Sequence, residues 1–328
     1  MTFVLDCQTH WYPPAYLESI LDAPGYPTAK RAVDGYRFFP RAGEEWPLSA
    51  DYIDLDVQLD DAAAAGVDAI LTNPAVFGDV AELPLADAVA ATRLLNDQLA
   101  SAEERYPGRV FGAAVVPMQD AVAAVAELER ATQDLGLKAV TLHSNIAGRR
   151  IGKRESWPLY ERIEQLGVPV LLHPTLSIAA AALQDGGLEG TLGFMLDSSV
   201  GALSLVYDGV LDAYPSLQVV HPHLGGILPY LRGRIEEEDS KHWSAGRRAE
   251  LRLVEYLRRN FYTDTVSQLP EALALARAAY GIERIIFSSD FPYWPRAKGV
   301  SFVRDNLDPA AAESVFSGNA MRLFGITI

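Results

Sequence analysis

The stretch VPVLLH, Val168–His173, decides how this chain must fold. It is almost wholly aliphatic, follows a helix-like segment Trp157–Leu166 closed by Gly167, and ends on a histidine. A run that is apolar at successive positions, instead of alternating, reads as a strand buried on both faces of a parallel sheet. Similar runs recur at Phe3–Gln8, Ala69–Asn73, Val110–Val116, Lys138–His143, Leu217–His223, Asn260–Asp264 and Arg284–Asp290. Helical stretches lie between them. Asp87–Tyr106, Met118–Leu135 before Gly136, Gln268–Tyr280 before Gly281, and Pro309–Phe324 behind the capping residue Asp308 are the clearest. Eight strand–helix units in 328 residues predict one domain over 1–328, a single (β/α)8, TIM-like barrel. A doubly wound open sheet is the alternative, but no G-x-G-x-x-G follows the first strand.

Two segments are too long for plain loops and predict insertions after strands 1 and 5. Residues 11–50 are rich in proline and aromatics, and residues 174–216 hold a Gly/Ala-rich part and an apolar helix around Leu196–Tyr214. Both leave from the C-terminal ends of strands, the active-site face of a barrel, and so read as lid, pocket wall or subunit interface. A surface excursion with its own small aromatic cluster is the plainer reading of both.

Composition narrows the function classes. With 28 Lys+Arg against 43 Asp+Glu, the formal charge of −15 argues against nucleic acid or an anionic membrane as partner. One cysteine, Cys7, allows no intrachain disulfide and suits the reducing cytoplasm, and no basic leader or long apolar span is evident.

The six histidines are placed unevenly. His143, His173, His221 and His223 end or nearly end predicted strands, His10 lies just past another, and only His242 stands apart, among charged residues. Asp264 and Asp290 also close strands. In a barrel these ends converge on one mouth, and imidazoles meeting a carboxylate there form a divalent metal site of the Zn or Mn type. A lone strand-end histidine is usually a hydrogen-bonded structural residue; five at one rim are harder to read that way.

Asp6-Cys7-Gln8-Thr9-His10, the LLHP of Leu171–Pro174, HLGGILPYL from His223 with Gly233-Arg234, and FSSDFP from Phe287 resemble the amidohydrolase-2 family. This is the branch of the amidohydrolase superfamily typified by aminocarboxymuconate-semialdehyde decarboxylase. The resemblance runs from the first strand to the last. It implies a distorted barrel, one divalent ion (Zn or Mn) and a small carboxylated aromatic or enol substrate. It also implies metal ligation by His10, His173 and Asp290, a catalytic role for His223 with Asp290, and a homodimer in which Arg234 can reach the neighbouring site. The family's first ligand falls on Gln8, whose neutral amide is a weaker donor than the usual imidazole or carboxylate.

Period-two alternation would put Asp6, Gln8 and His10 on one side and Cys7 on the other. By the same rule His221 and His223 would both face inward, His221 one layer deeper as a hydrogen-bond partner. The superfamily's two-metal members carry a bridging carboxylated lysine at the end of strand 4; here Lys138 lies at that strand's beginning, so the resemblance implies a mononuclear site, with His143 at the substrate or behind the ligands. Arg37, Arg41, Arg149, Arg150, Arg234 and Arg296 are candidate carboxylate binders. Trp11, Tyr12, Phe77, Tyr293 and Trp294 are candidate walls for a flat ring. Three functions stay open: non-oxidative decarboxylation of a small aromatic or conjugated acid, metal-dependent hydrolysis or hydration of a lactone, amide or enol, and a metal-poor binding protein.

Overall fold

Successive residues along the strands feed two different cores. Ala69, Leu71, Ala113, Ala139, Leu171, Val220 and Ile286 meet in one buried cluster. Their chain neighbours Ile70, Ala114, Val140, Leu172, Val219 and Phe287 belong to another, which also takes in the helix residues Leu99, Ile163 and Leu257. Burial on both faces is the reason the strands read as near-continuous apolar runs. The computed structural model describes residues 2–74, 79–176, 178–183, 187–241 and 249–327. The strands are β1 (Leu5–His10), β2 (Ala69–Asn73), β3 (Val110–Val115), β4 (Ala139–His143), β5 (Val170–His173), β6 (Val219–His221) and β7 (Phe261–Thr263). They form one parallel α/β sheet in chain order, which curls with helices on its outer face.

The eighth predicted strand departs from expectation. Residues 285–291 build no continuous ladder but bridge both sheet edges, Ile285 to Thr263 of β7 and Phe291 to Thr9 of β1. Backbone bonds from Ile286 N to Thr263 O (2.9 Å), Cys7 N to Phe287 O (2.9 Å) and Asp290 N to Gln8 O (3.0 Å) accompany the bridges. The ladder fails because Ser289 turns its N–H to the Asp6 carboxylate (2.8 Å) and Asp290 takes a left-handed backbone (φ 63°).

A register shift in β1 overturns the simple alternation. Asp6 pairs with Ile70 and Thr9 with Thr72, so β1 spends one extra residue there, as a β-bulge does. Leu5 and Cys7 enter the inner cluster, Asp6 turns to Arg296, and Gln8 and His10 beyond the shift meet Asp290. Cys7 is a packing residue, as anticipated.

The helix Trp157–Leu166 ends at a left-handed Gly167, and Asp308 accepts the amides of Ala310 and Ala311, both as read from the sequence. The helix expected over Met118–Leu135 starts only at Ala121, capped by Asp120, and widens into a π turn at Arg130–Asp134. The last one widens likewise at Ser314–Gly318. Residues 11–50 contain a helix, Pro14–Ser19, and a three-stranded antiparallel sheet of Thr28–Ala32, Gly35–Phe39 and Trp46–Leu48. This excursion closes over its own core of Tyr12, Tyr16, Leu17, Phe38 and Leu48.

Arg296 corrects another expectation. It is fully buried, 2.9 Å from Asp6, 2.6 Å from Asp61, and stacked 3.9 Å over the Phe291 ring, so it is a structural cation and not a substrate binder. Removing one member of a buried ion pair strands the other charge and costs about 3–5 kcal/mol. Arg296→Leu should therefore lower stability by that order in urea unfolding. Adding Asp6→Asn should return most of the loss, because no buried charge is then left unpaired.

Candidate active site

Three strand ends and the segment after Ser289 deliver the polar residues to one place. The rings of His10 and His173 meet edge-on at 5.0 Å, and His143 lies 6.4 Å from His173. His10 Nε2 is 2.8 Å from Asp290 Oδ1, and the Gln8 amide donates to the same oxygen at 3.4 Å. His223 Nε2 faces Asp290 Oδ2 at 3.7 Å. All six side chains are buried.

The hydrogen bonds assign ring nitrogens. His173 Nδ1 donates to the Pro174 carbonyl at 2.6 Å, which puts the lone pair of its neutral ring on Nε2. Burial, reinforced by the neighbouring His10 and His143, pushes its pKa well below the usual imidazole range, so the ring stays neutral. Both nitrogens of His10 face oxygens, Nδ1 that of Asn73 (2.9 Å) and Nε2 that of Asp290. His10 Nε2 and Asp290 Oδ1 thus stand as a donor pair on one side of the site. Among the described residues no three His, Cys, Asp or Glu side chains stand as a ready coordination cage. The donors nonetheless suit a divalent ion: an imidazole anchored through Nδ1 presents Nε2, and Asp290 stays ionised. Burial opposes that carboxylate charge, but the bonds from His10 and His223 outweigh it and hold Asp290 well below the usual carboxylate range.

His223 reaches the site from a turn, not a strand. β6 stops at His221, and His223 and Leu224 both take left-handed backbones (φ 59° and 53°). The buried Asp264 carboxylate fastens this turn through Oδ1, accepting the amides of His223 (2.7 Å), Leu224 (3.3 Å) and Val266 (3.1 Å). The two glycines that follow are required by space: a Cβ on Gly225 would meet the Tyr280 hydroxyl at 2.4 Å, and one on Gly226 the Ser199 hydroxyl at 2.5 Å. Burial lowers the His223 pKa, but the Asp290 and Asp264 carboxylates reverse the sign and raise it. Asp264 itself is pushed up to about 6 by burial.

His221 does not lie a layer deeper in the same line. It shares the outward side of Val219, bonds Tyr280 Oη through Nδ1 at 3.1 Å, and is held neutral by burial, its pKa pushed down to about 3. The strand's pleat ends before His223, so the two histidines face different neighbours.

A cavity of about 620 Å³ opens beside His173, His223 and Asp290, walled by Pro174, Phe194, Met195, Val266, Tyr293 and Trp294. Trp294 lines the cavity and is 38% exposed, and Tyr293 stands 5.5 Å from the His10 ring. Trp11 and Tyr12 are instead packed in core clusters, and His143 is behind His173 and not in the wall. None of the six candidate arginines lines this cavity; Arg234 is exposed on the helix Leu228–Asp239, and Lys298 is the cation in the wall. Phe77 and His242 fall outside the described residues. Sequence reasoning missed Phe194, Met195, Gln268 and Lys298, which carry no motif, and Asn73, whose signal was its place at the end of β2.

The chain is similar to known proteins over most of its length. Gamma-resorcylate decarboxylase from Polaromonas sp. (strain JS666) is 29% identical over 318 residues, 91% of this chain and 96% of that protein. 2-Amino-3-carboxymuconate-6-semialdehyde decarboxylase from Dictyostelium discoideum is 25% identical, covering 91% of this chain and 82% of its own. The solved dihydroxybenzoic acid decarboxylase from Polaromonas sp. JS666, with bound manganese and 2-nitroresorcinol, shares the fold with a TM-score of 0.84. It is 24% identical and covers 99% of this chain and 97% of its own. The family model for amidohydrolases (Amidohydro_2) matches residues 5–326, and the chain belongs to that family.

Proposed function

We propose that this chain is a divalent-metal-dependent, non-oxidative decarboxylase of a small aromatic or conjugated carboxylic acid. The observation that carries this reading is the placement of His223, an imidazole whose pKa the facing carboxylates raise, 3.7 Å from Asp290 at the wall of a largely apolar cavity. The names of the relatives support it. The 285–291 bridges support reading that segment as the eighth strand of one barrel domain. A homodimer suits the exposed Arg234, and the cytoplasm suits the single buried cysteine.

His10, His173 and Asp290 would hold the ion, of the Mn or Zn type, with Gln8 beside them. When bound, it supplies positive charge for the substrate carboxylate and an adjacent hydroxyl oxygen. Tyr293 and Trp294 flank a flat ring against Phe194 and Met195. His223 lines the cavity with its Nε2 3.7 Å from Asp290 Oδ2. His223 gives its proton to the ring carbon bearing the carboxylate. The C–C bond then breaks, CO2 leaves, and the bonding pair returns to the ring and restores its aromaticity. Asp290, held ionised, is the weaker donor of the two.

Purified protein supplied with Mn or Zn should release CO2 from hydroxybenzoates and leave lactones intact; the reverse outcome would establish the hydrolase reading. His223→Asn should lower CO2 release ~100- to 10,000-fold, the usual contribution of general acid–base catalysis, with metal content unchanged. Loss of the metal in that variant would make His223 a ligand. Gln8→His should slow metal loss during dialysis against a chelator by adding an imidazole donor. Equal retention by the two proteins would place Gln8 outside the coordination sphere.

A further inference from the structure

Lys298 is a cation to which the fold gives no counter-charge. It lines the cavity of about 620 Å³, is exposed to solvent, and has no carboxylate within ion-pair range among the described residues. Its ammonium lies over the Trp294 ring, 5.7 Å from the centroid. An aromatic face attracts a cation at that range without neutralising it.

Its place on the helix is unfavourable for the fold. Lys298 is the third residue of the helix Arg296–Asn306, whose first turn holds two cations and no acid. The N-terminal end of a helix carries partial positive charge, which stabilises acids and not cations. Arg296 is answered in the core by Asp6 and Asp61, whereas Lys298 adds its charge to that of the helix end beside the cavity.

The rest of the lining is poor in charge. Asp290 is its carboxylate, buried and held by His10 and His223. The lining also divides by exposure: His173, His223 and Asp290 are buried, whereas Tyr293, Trp294 and Lys298 are exposed. A ligand bound for the buried side comes from solvent past the exposed one. The chain as a whole carries a formal charge of −15, which repels an approaching anion. A cation on the entry side reverses that repulsion locally, within a Debye length of ~8 Å at physiological salt.

We propose that Lys298 is a specificity residue that reads charge: it draws anionic rings into the cavity and gives no advantage to neutral rings of the same shape. This rests on the decarboxylase reading only for the substrate being a carboxylate. Attraction of this kind acts on the rate of entry and needs no fixed hydrogen bond to the bound ligand.

Association of salicylate and of its neutral isostere salicylamide with metal-loaded protein can be followed by stopped-flow fluorescence at low and moderate NaCl. In wild type the salicylate rate should fall as salt is added, because the pull of the local cation is screened. Lys298→Met should slow salicylate association about 3- to 10-fold at low salt and flatten its salt dependence, with dissociation nearly unchanged. Lys298→Glu should slow it further, and Lys298→Arg, which keeps the charge, should restore the wild-type rate. Salicylamide should respond to none of these substitutions. A salicylate rate that Lys298→Met leaves unchanged, or salicylamide slowed to the same extent, overturns the inference. So does a wild type that takes up salicylate no faster than salicylamide. CO2 release from hydroxybenzoates, measured separately, decides the decarboxylase reading whichever way the association rates fall.

Discussion

The arrangement hangs on the buried ion pair between Asp6 and Arg296. Asp6 stands on the first strand, Arg296 at the start of a helix near the end of the chain, and both are excluded from solvent. A carboxylate there is expensive: burial alone raises its pKa, and Arg296 and Ser289 only partly offset the penalty. The cost is tolerated because the pair does geometric work. Asp6 takes the N–H and hydroxyl of Ser289, the residue before Asp290, while Arg296 also reaches Asp61 and the Gln58 carbonyl. Gln58 in turn donates to the His10 carbonyl. One salt bridge thereby ties β1, the helix Leu55–Ala65 and the edge-bridging 285–291 segment, and it sets His10 and Asp290 at 2.8 Å.

The same economy governs the far side of the site. A single carboxylate oxygen, Oδ1 of Asp264, organises the left-handed turn of His223 and the start of the turn that carries Gln268. One rigid group thus fixes the turn that carries the residue argued to move the proton and the backbone that follows Asp264 itself. The carboxylates divide the electrostatics unequally. Asp290 is stabilised as an anion by imidazole donors, whereas Asp264 is pushed towards neutrality by burial. Both carboxylates raise the His223 pKa against the burial that lowers it.

Much of this was legible from the chain alone, for a physical reason. Burial on both faces leaves an apolar run that needs no partner to be recognised, so seven of the strands and their order follow from local composition. Strand ends share one rim, so His10, His173 and Asp290 could be grouped although 280 residues separate the outermost two. Capping at Asp308 and Gly167 is equally local. Tertiary structure alone decided which way side chains turn once the pleat is broken. The extra residue in β1 separates Asp6 from Gln8 and His10, and the left-handed turn after His221 parts it from His223. It likewise assigned Arg296 to the core and Lys298 to the cavity, two residues apart on one helix. Nothing in the spacing of the two cations distinguishes them, because a charge is buried or exposed according to the partner that long-range folding brings to it, here an aspartate 290 positions away.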